Sequence, residues 1–203
     1  MKKFAKILTA IMILSVLTMC CLILPDHSTL QNNVLRLHVV ANSDSAEDQA
    51  LKIRVRDAVL EVLNKELGDS AELQQAKASI TSILPRLEKT ANQILAESGS
   101  PDTAVVTLAR EEFPTREYDT FTLPAGIYES LRIRIGKAEG KNWWCVVFPS
   151  LCVPATSDGF RAEAVDAGFS RGLTNTLTGE PGYEVRFFFL DLWGRLENFF
   201  HRG

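Results

Sequence analysis

Between Ser45 and Leu95 apolar residues recur at helical spacing over two long segments, and from Thr103 onwards the period changes to two. In SDSAEDQALKIRVRDAVLEVLNKEL, Leu51, Val55, Ala58, Val59, Val62 and Leu63 form one stripe, with Lys52, Arg56, Asp57 and Glu61 mostly off it. Ser45 is the predicted N-cap, Asp48 sits at the capping-box position, and Glu47 lies near the positive helix end. A second helix follows Gly68, with Asp69 or Ser70 as its cap. Its stripe runs through Leu73, Ala76, Ile80, Ile83, Leu84, Leu87, Ala91, Ile94 and Leu95. Pro85 is expected to kink or split it, and Gly99 with Pro101 to end it. Ahead of these helices VLRLHVVAN alternates as a strand does; after them come TAVVTLARE, IYESLRIRIGKAE and NWWCVVF. EGKN at 139–142 reads as a hairpin connection that makes the last two strands antiparallel neighbours. This order predicts an α+β fold: a single domain with a mixed or antiparallel sheet of about four strands against two long helices, plus a C-terminal amphipathic helix.

The ends of the chain are organised differently. Lys2, Lys3 and Lys6 precede an uncharged apolar run from Ile7 to Leu24, so residues 1–25 read as a signal peptide or N-terminal membrane anchor. The polar stretch 26–33 reads as a linker, and 34–203 as the folded domain. Within it, 154–183 is rich in Gly, Ser, Thr and Asp and is expected to be an exposed loop. Residues 184–201 form the C-terminal helix, with Val185, Phe189, Leu192, Leu196 and Phe199 or Phe200 on one face and Gly194 as its weak point. That face is expected to lie on the core, with docking to a partner or a membrane surface as the alternative. Loss of residues 1–25 would take three lysines and no acid from 22 basic and 25 acidic residues, giving a net charge of −6. So acidic a domain argues against nucleic acid as a partner.

Export makes Cys145 and Cys152 a candidate disulfide, because such bonds persist outside the cytosol. In NWWCVVFPSLC both strand faces are apolar, which predicts a strand buried within the sheet. Pro149 ends the ladder, and a reversal through Ser150 and Leu151 can return Cys152 towards Cys145; two buried free thiols are the alternative. Outside the N-terminal run only Cys145, Cys152, His38 and His201 are soft enough for zinc, and they lack ligand spacing, so no metal or cofactor is expected. Cys145 with His38 as base would make an exported thiol hydrolase. The strand-to-helix junction offers Asn42, Ser43 and Asp44, either as helix-capping groups or as a partner-binding site. Arg36 and His38, on one face of the preceding strand, complete the candidate partner-binding set.

LRLHVVANSDSAEDQALKIRVRDAVLEVL, EEFPTREYD, LPAGIYESLRIRIG and GKNWWCVVFPSLC, in this order, resemble the stage II sporulation protein R family of endospore-forming bacteria. The resemblance covers roughly residues 34–153. It implies a signalling protein and not an enzyme, exported from the forespore into the space between the forespore and mother-cell membranes. There it would activate a membrane-embedded aspartic protease of the stage II sporulation protein GA type, which processes the sigma E precursor. The rival readings are the thiol hydrolase and a membrane-anchored structural protein of the envelope.

Overall fold

The computed structural model describes residues 2–67, 72–148 and 157–201; for residues 2, 5, 16, 19, 20, 22, 157–159 and 163 it describes the backbone alone. Its elements are α1 (Lys2–Asn33), β1 (Leu35–Val40), α2 (Ala46–Leu67), α3 (Leu73–Glu97), β2 (Ala104–Phe113), β3 (Arg116–Glu117), β4 (Thr122–Leu123), β5 (Gly126–Ile135), β6 (Asn142–Phe148), α4 (Ser157–Asp166), α5 (Arg171–Leu177) and α6 (Glu184–His201). A four-stranded mixed sheet has the order β2-β5-β1-β6. Its two central strands, β1 and β5, are parallel, while β2 and β6 run antiparallel to their neighbours. The fold is α+β, with helices on both faces of the sheet.

The expected hairpin between the last two strands does not form, because β1 lies between β5 and β6. All six residues of β1 are buried, and a strand that is buried on both faces belongs in the centre of a sheet. The chain leaving β5 therefore crosses the end of β1 before returning as β6. Its backbone is tied there: the Glu139 and Gly140 amides donate to the Asn42 and Ala41 carbonyls at 3.2 and 3.0 Å. Gly136 permits this path with φ 54°, and a Cβ there would overlap the Asn42 side chain. β6 is consequently an edge strand, buried from Cys145 to Phe148 but open at Asn142 and Trp143. Trp143, 38% exposed, lies under the Arg56 guanidinium at 4.2 Å.

The predicted stripes of α2 and α3 pack against one sheet face through Leu51, Val55, Val59 and Leu63, and through Ala76, Ile80, Leu87 and Ala91. They cover Leu35, Leu37, Val39, Leu131, Ile133 and Cys145. Ser45 caps α2, its Oγ accepting the Asp48 amide at 3.1 Å. The N-cap of α3 is Glu72, without a side-chain bond; Asp69 and Ser70 lie outside the described residues. Pro85 neither splits nor ends α3. The carbonyl that loses its donor belongs to Thr81, on the exposed side, where water can satisfy it.

A second core fills the end of the opposite face, where Phe113, Phe121, Leu123, Tyr128 and Val146 meet helices. Three expectations change here. Residues 26–33 are not a linker: they continue α1, with Asp26, His27 and Leu30 buried. The described part of 154–183 is not an exposed loop, because α4, α5 and the connection between them insert Phe160, Phe169, Leu173 and Leu177 into this core. Finally, α6 packs through Leu190, Asp191 and Gly194, and turns the predicted apolar stripe outwards. Gly194 is a point of close approach and not a weak point: a Cβ there would overlap the Ala125 carbonyl. Asp191 accepts the Ala125 amide at 2.8 Å, and Asn198 donates to the Phe113 carbonyl at 3.0 Å. Among the described residues no helix is long and apolar enough to cross a membrane.

The joint between α1 and α6 is pH-sensitive through His27. Burial lowers its pKa, and Glu197 at 3.3 Å opposes that only in part. The unfolded chain then binds the proton more tightly than the folded one, so stability falls as pH drops below about 6.5. The unfolding midpoint is expected to decrease between about pH 7 and 5, and His27→Gln to flatten that decrease. An unaltered slope in His27→Gln would assign it to other groups.

Candidate functional site

Among the described residues, helices leave half of the second sheet face uncovered. Cross-strand register places Thr107 beside Arg132, Arg132 beside His38, and His38 beside Trp144, all on that face. Val105, Thr107, Ala109 and Arg134 are exposed there. His38 stacks on Trp144 with ring centroids 3.9 Å apart, and Arg116 stands over the other ring of the pair at 5.1 Å. Glu111 bridges the two central strands, with Oε2 3.4 Å from His38 Nδ1 and Oε1 accepting from Arg132 Nη1 at 2.9 Å. Burial would raise the Glu111 carboxyl, but the His38 hydrogen bond and the Arg132 charge outweigh it and hold the group below its ordinary value. The result is a rigid aromatic and cationic floor with Arg132 and Arg134 at its open side.

Arg36, on the same face, is fully buried at the closed end. Its guanidinium lies 4.0 Å from the Phe113 ring centre and 5.1 Å from that of Tyr128, and Nη2 donates to Tyr118 Oη at 3.0 Å. The short pair β3 and β4, which the sequence pattern did not reveal, delivers Tyr118 to this place. Among the described residues Nε and Nη1 find no hydrogen-bond partner. Burial depresses the Arg36 pKa, and among the described residues no carboxylate pairs with it. Arg36 therefore holds the closed end together and is inaccessible to a partner, which removes it from the partner-binding set.

The remaining members of that set divide. His38 is buried and supports the floor from below by stacking on Trp144, whereas Asn42, Ser43 and Asp44 are engaged within the chain. Asp48 accepts from Ser43 Oγ at 2.6 Å and from Asn42 Nδ2 at 3.0 Å, and these bonds lower its pKa. Asn42 Oδ1 takes the Lys137 amide at 3.0 Å and Asp44 Oδ1 the Lys141 amide at 2.6 Å. Lys52, predicted off the helix stripe, is buried beneath this loop and donates to the Lys141 carbonyl at 2.9 Å. The junction thus locks the β5-to-β6 crossing to the start of α2.

The pairing of Cys145 with His38 as nucleophile and base is overturned by the pleat. Cys145 is registered with Leu37 on the α2 and α3 side, and His38 with Trp144 on the other. Cys145 is also disulfide-bonded and 5% exposed, so it supplies no thiolate. Among the described residues no cluster of three or more His, Cys, Asp or Glu could hold a metal ion. Cys152 lies outside the described residues. A bridge from Cys145 to Cys152 would stabilise the fold by about 2.5 kcal/mol on the chain-entropy estimate. Cys145→Ser and Cys152→Ser are then expected to cost this amount each and no more together, as read by denaturant unfolding. A bond that survives Cys152→Ser in a mass measurement would place the partner elsewhere.

Residues 31–158 match the family described as Stage II sporulation protein R. The chain is also similar to Stage II sporulation protein R of Bacillus subtilis (strain 168), with 36% identity over 137 residues. That alignment covers 68% of this chain and 58% of the relative, so it spans less than two thirds of the relative's length. No solved structure matches. The matched span contains β1 to β6, and with them the whole open floor.

Proposed function

The chain belongs to the stage II sporulation protein R family, and from that membership we propose that it is an exported intercellular signal of endospore formation. In this reading it acts in the space between the forespore and mother-cell membranes, reached by means of residues 1–25. Its partner is a membrane-embedded aspartic protease of the stage II sporulation protein GA type, which then processes the sigma E precursor. Activation proceeds by contact and not by catalysis in this chain.

The observation that carries the reading is the open half-sheet inside the family-matched span. Its side chains are held in place before any partner arrives: His38 by Trp144, and Arg132 by Glu111. Binding then costs little further side-chain ordering. Arg134 is exposed at the rim, so the surface suits an acidic segment of the protease. By linkage the signal must bind the active form of the protease more tightly than the inactive one, and each tenfold preference corresponds to about 1.4 kcal/mol.

Binding of the full chain to the extracytoplasmic part of the protease is the direct test. Arg132→Glu and Arg134→Glu are each expected to weaken binding by about tenfold at low salt and by less at high salt. Unchanged affinity in both variants would remove the open floor as the contact.

A further inference from the structure

The outward stripe of α6 calls for a cover. Phe188, Phe189, Leu192, Trp193, Leu196 and Phe199 are exposed, Phe188 by 61% and Phe199 by 72%. The opposite side of the helix is fixed to the domain by Asp191, Gly194 and Asn198, so the stripe cannot turn inwards. Large contiguous apolar patches of this kind mark interaction surfaces.

The position of α6 identifies the occupant. Arg186, in its first turns, forms an ion pair with Asp26 of α1. Further along, Glu197 accepts from Gln31 Nε2 at 2.7 Å. Asp26 stands two residues beyond the uncharged run that ends at Leu24, and along that run Leu8, Ile11, Met12, Leu14 and Leu17 are exposed. α6 is thus rooted at the level where the apolar shaft of α1 gives way to the polar domain. Any lipid layer that takes up the shaft meets α6 at headgroup depth, where Trp and Phe side chains are favoured. The charges of α6 do not resist this placement, because Arg186 is paired with Asp26, and Asp191 with Arg195.

We infer that α6 is an interfacial helix, its Phe and Trp stripe seated in the outer part of a lipid bilayer beside the apolar run of α1. Because its charges are balanced within the protein, attachment depends on apolar area and not on anionic lipid. The inference rests on the export reading for the fate of residues 1–25, and it concerns a helix outside the family-matched span. It sets the height of the open floor above the membrane, and so where a membrane-embedded partner can reach it.

The test uses the full chain reconstituted into phosphatidylcholine vesicles, with bromine-labelled lipid as quencher of tryptophan fluorescence. The Trp193 contribution is obtained by difference from Trp193→Phe. Strong quenching by lipid brominated near the headgroup, little quenching by aqueous iodide, and no change with salt are expected. Changing Phe188, Leu192 and Phe199 to Ser, all solvent-facing, is expected to abolish the lipid quenching while vesicle flotation through α1 persists. A chain that floats with vesicles while Trp193 stays open to iodide would overturn the α6 assignment and leave the export reading intact. A chain that does not float would overturn both. Trp193 shielded from both quenchers in a dimer would overturn the inference in favour of a second copy as the cover.

Discussion

Gly194→Ala is expected to destabilise the protein by about 3 kcal/mol, the upper end of the usual overpacking cost. The new Cβ would overlap the carbonyl of Ala125, and the obstacle is backbone, which cannot swing aside as a side chain can. α6 must retreat instead. Its retreat stretches the bond from the Ala125 amide to Asp191 and the bond from Asn198 to the Phe113 carbonyl. Helix propensity taken alone gives the opposite sign, because replacing glycine by alanine inside a helix gains roughly 1 kcal/mol. Denaturant unfolding of the full chain in mild detergent therefore decides between the two. A more stable Gly194→Ala variant would refute the close docking of α6. The same contact should fail in acid. Burial would raise the Asp191 carboxyl, but bonds from the Ala125 amide, Thr115 and Arg195 hold it below its ordinary value. That stability is present above the ordinary carboxylate pKa, and is lost as pH falls through the depressed one.

Arg36→Ala is expected to cost about 3 kcal/mol, whereas Arg36→Met should be close to neutral or stabilising by 1–2 kcal/mol. The alanine variant leaves a cavity among Phe113, Tyr128 and Tyr118 and removes the partner of the Tyr118 hydroxyl. The methionine variant also gives up the Tyr118 bond, but it keeps the volume and abolishes the burial of a charge that, among the described residues, has no carboxylate partner and two nitrogens without hydrogen bonds. Both are read as shifts in the denaturant midpoint. If methionine costs as much as alanine, the guanidinium contributes through its charge over the two rings and not through its bulk. Retained protease activation in a stable Arg36→Met variant would match the burial of this residue away from the partner.

The two sides of the sheet differ in how far the sequence discloses them. On the α2 and α3 side each element buries apolar residues at regular spacing, so Leu51, Val55, Ile80 and Leu87 could be placed in the core from periodicity. The other side uses contacts that periodicity does not carry. Gly194 makes the closest approach because it lacks a side chain, and Asp191 docks through hydrogen bonds, so α6 buries the face that looked polar. β1 displaced the expected hairpin because strand order follows burial of whole strands, whereas EGKN reports the turn alone. His38 stands out in the sequence as one of three histidines, but its neighbours Trp144 and Glu111 come together only through register. Arg36 was misplaced because a strand arginine usually reaches solvent, and Tyr118 arrives from a pair of two-residue strands too short to show in the pattern.

Together these contacts describe a two-sided domain. One side is sealed by α2 and α3, and the other is divided between a closed aromatic end around Arg36 and an open cationic floor. The central claim is that this floor delivers a signal to a protease. It is tested most directly by co-producing the sigma E precursor, the GA-type protease and this chain in a host that does not sporulate, and measuring precursor cleavage. Cleavage is expected only when this chain is present, to persist with Cys145→Ser wherever that variant folds, and to fall sharply when Arg132 and Arg134 are both changed to Glu. Cleavage that proceeds equally well without the chain would contradict the account.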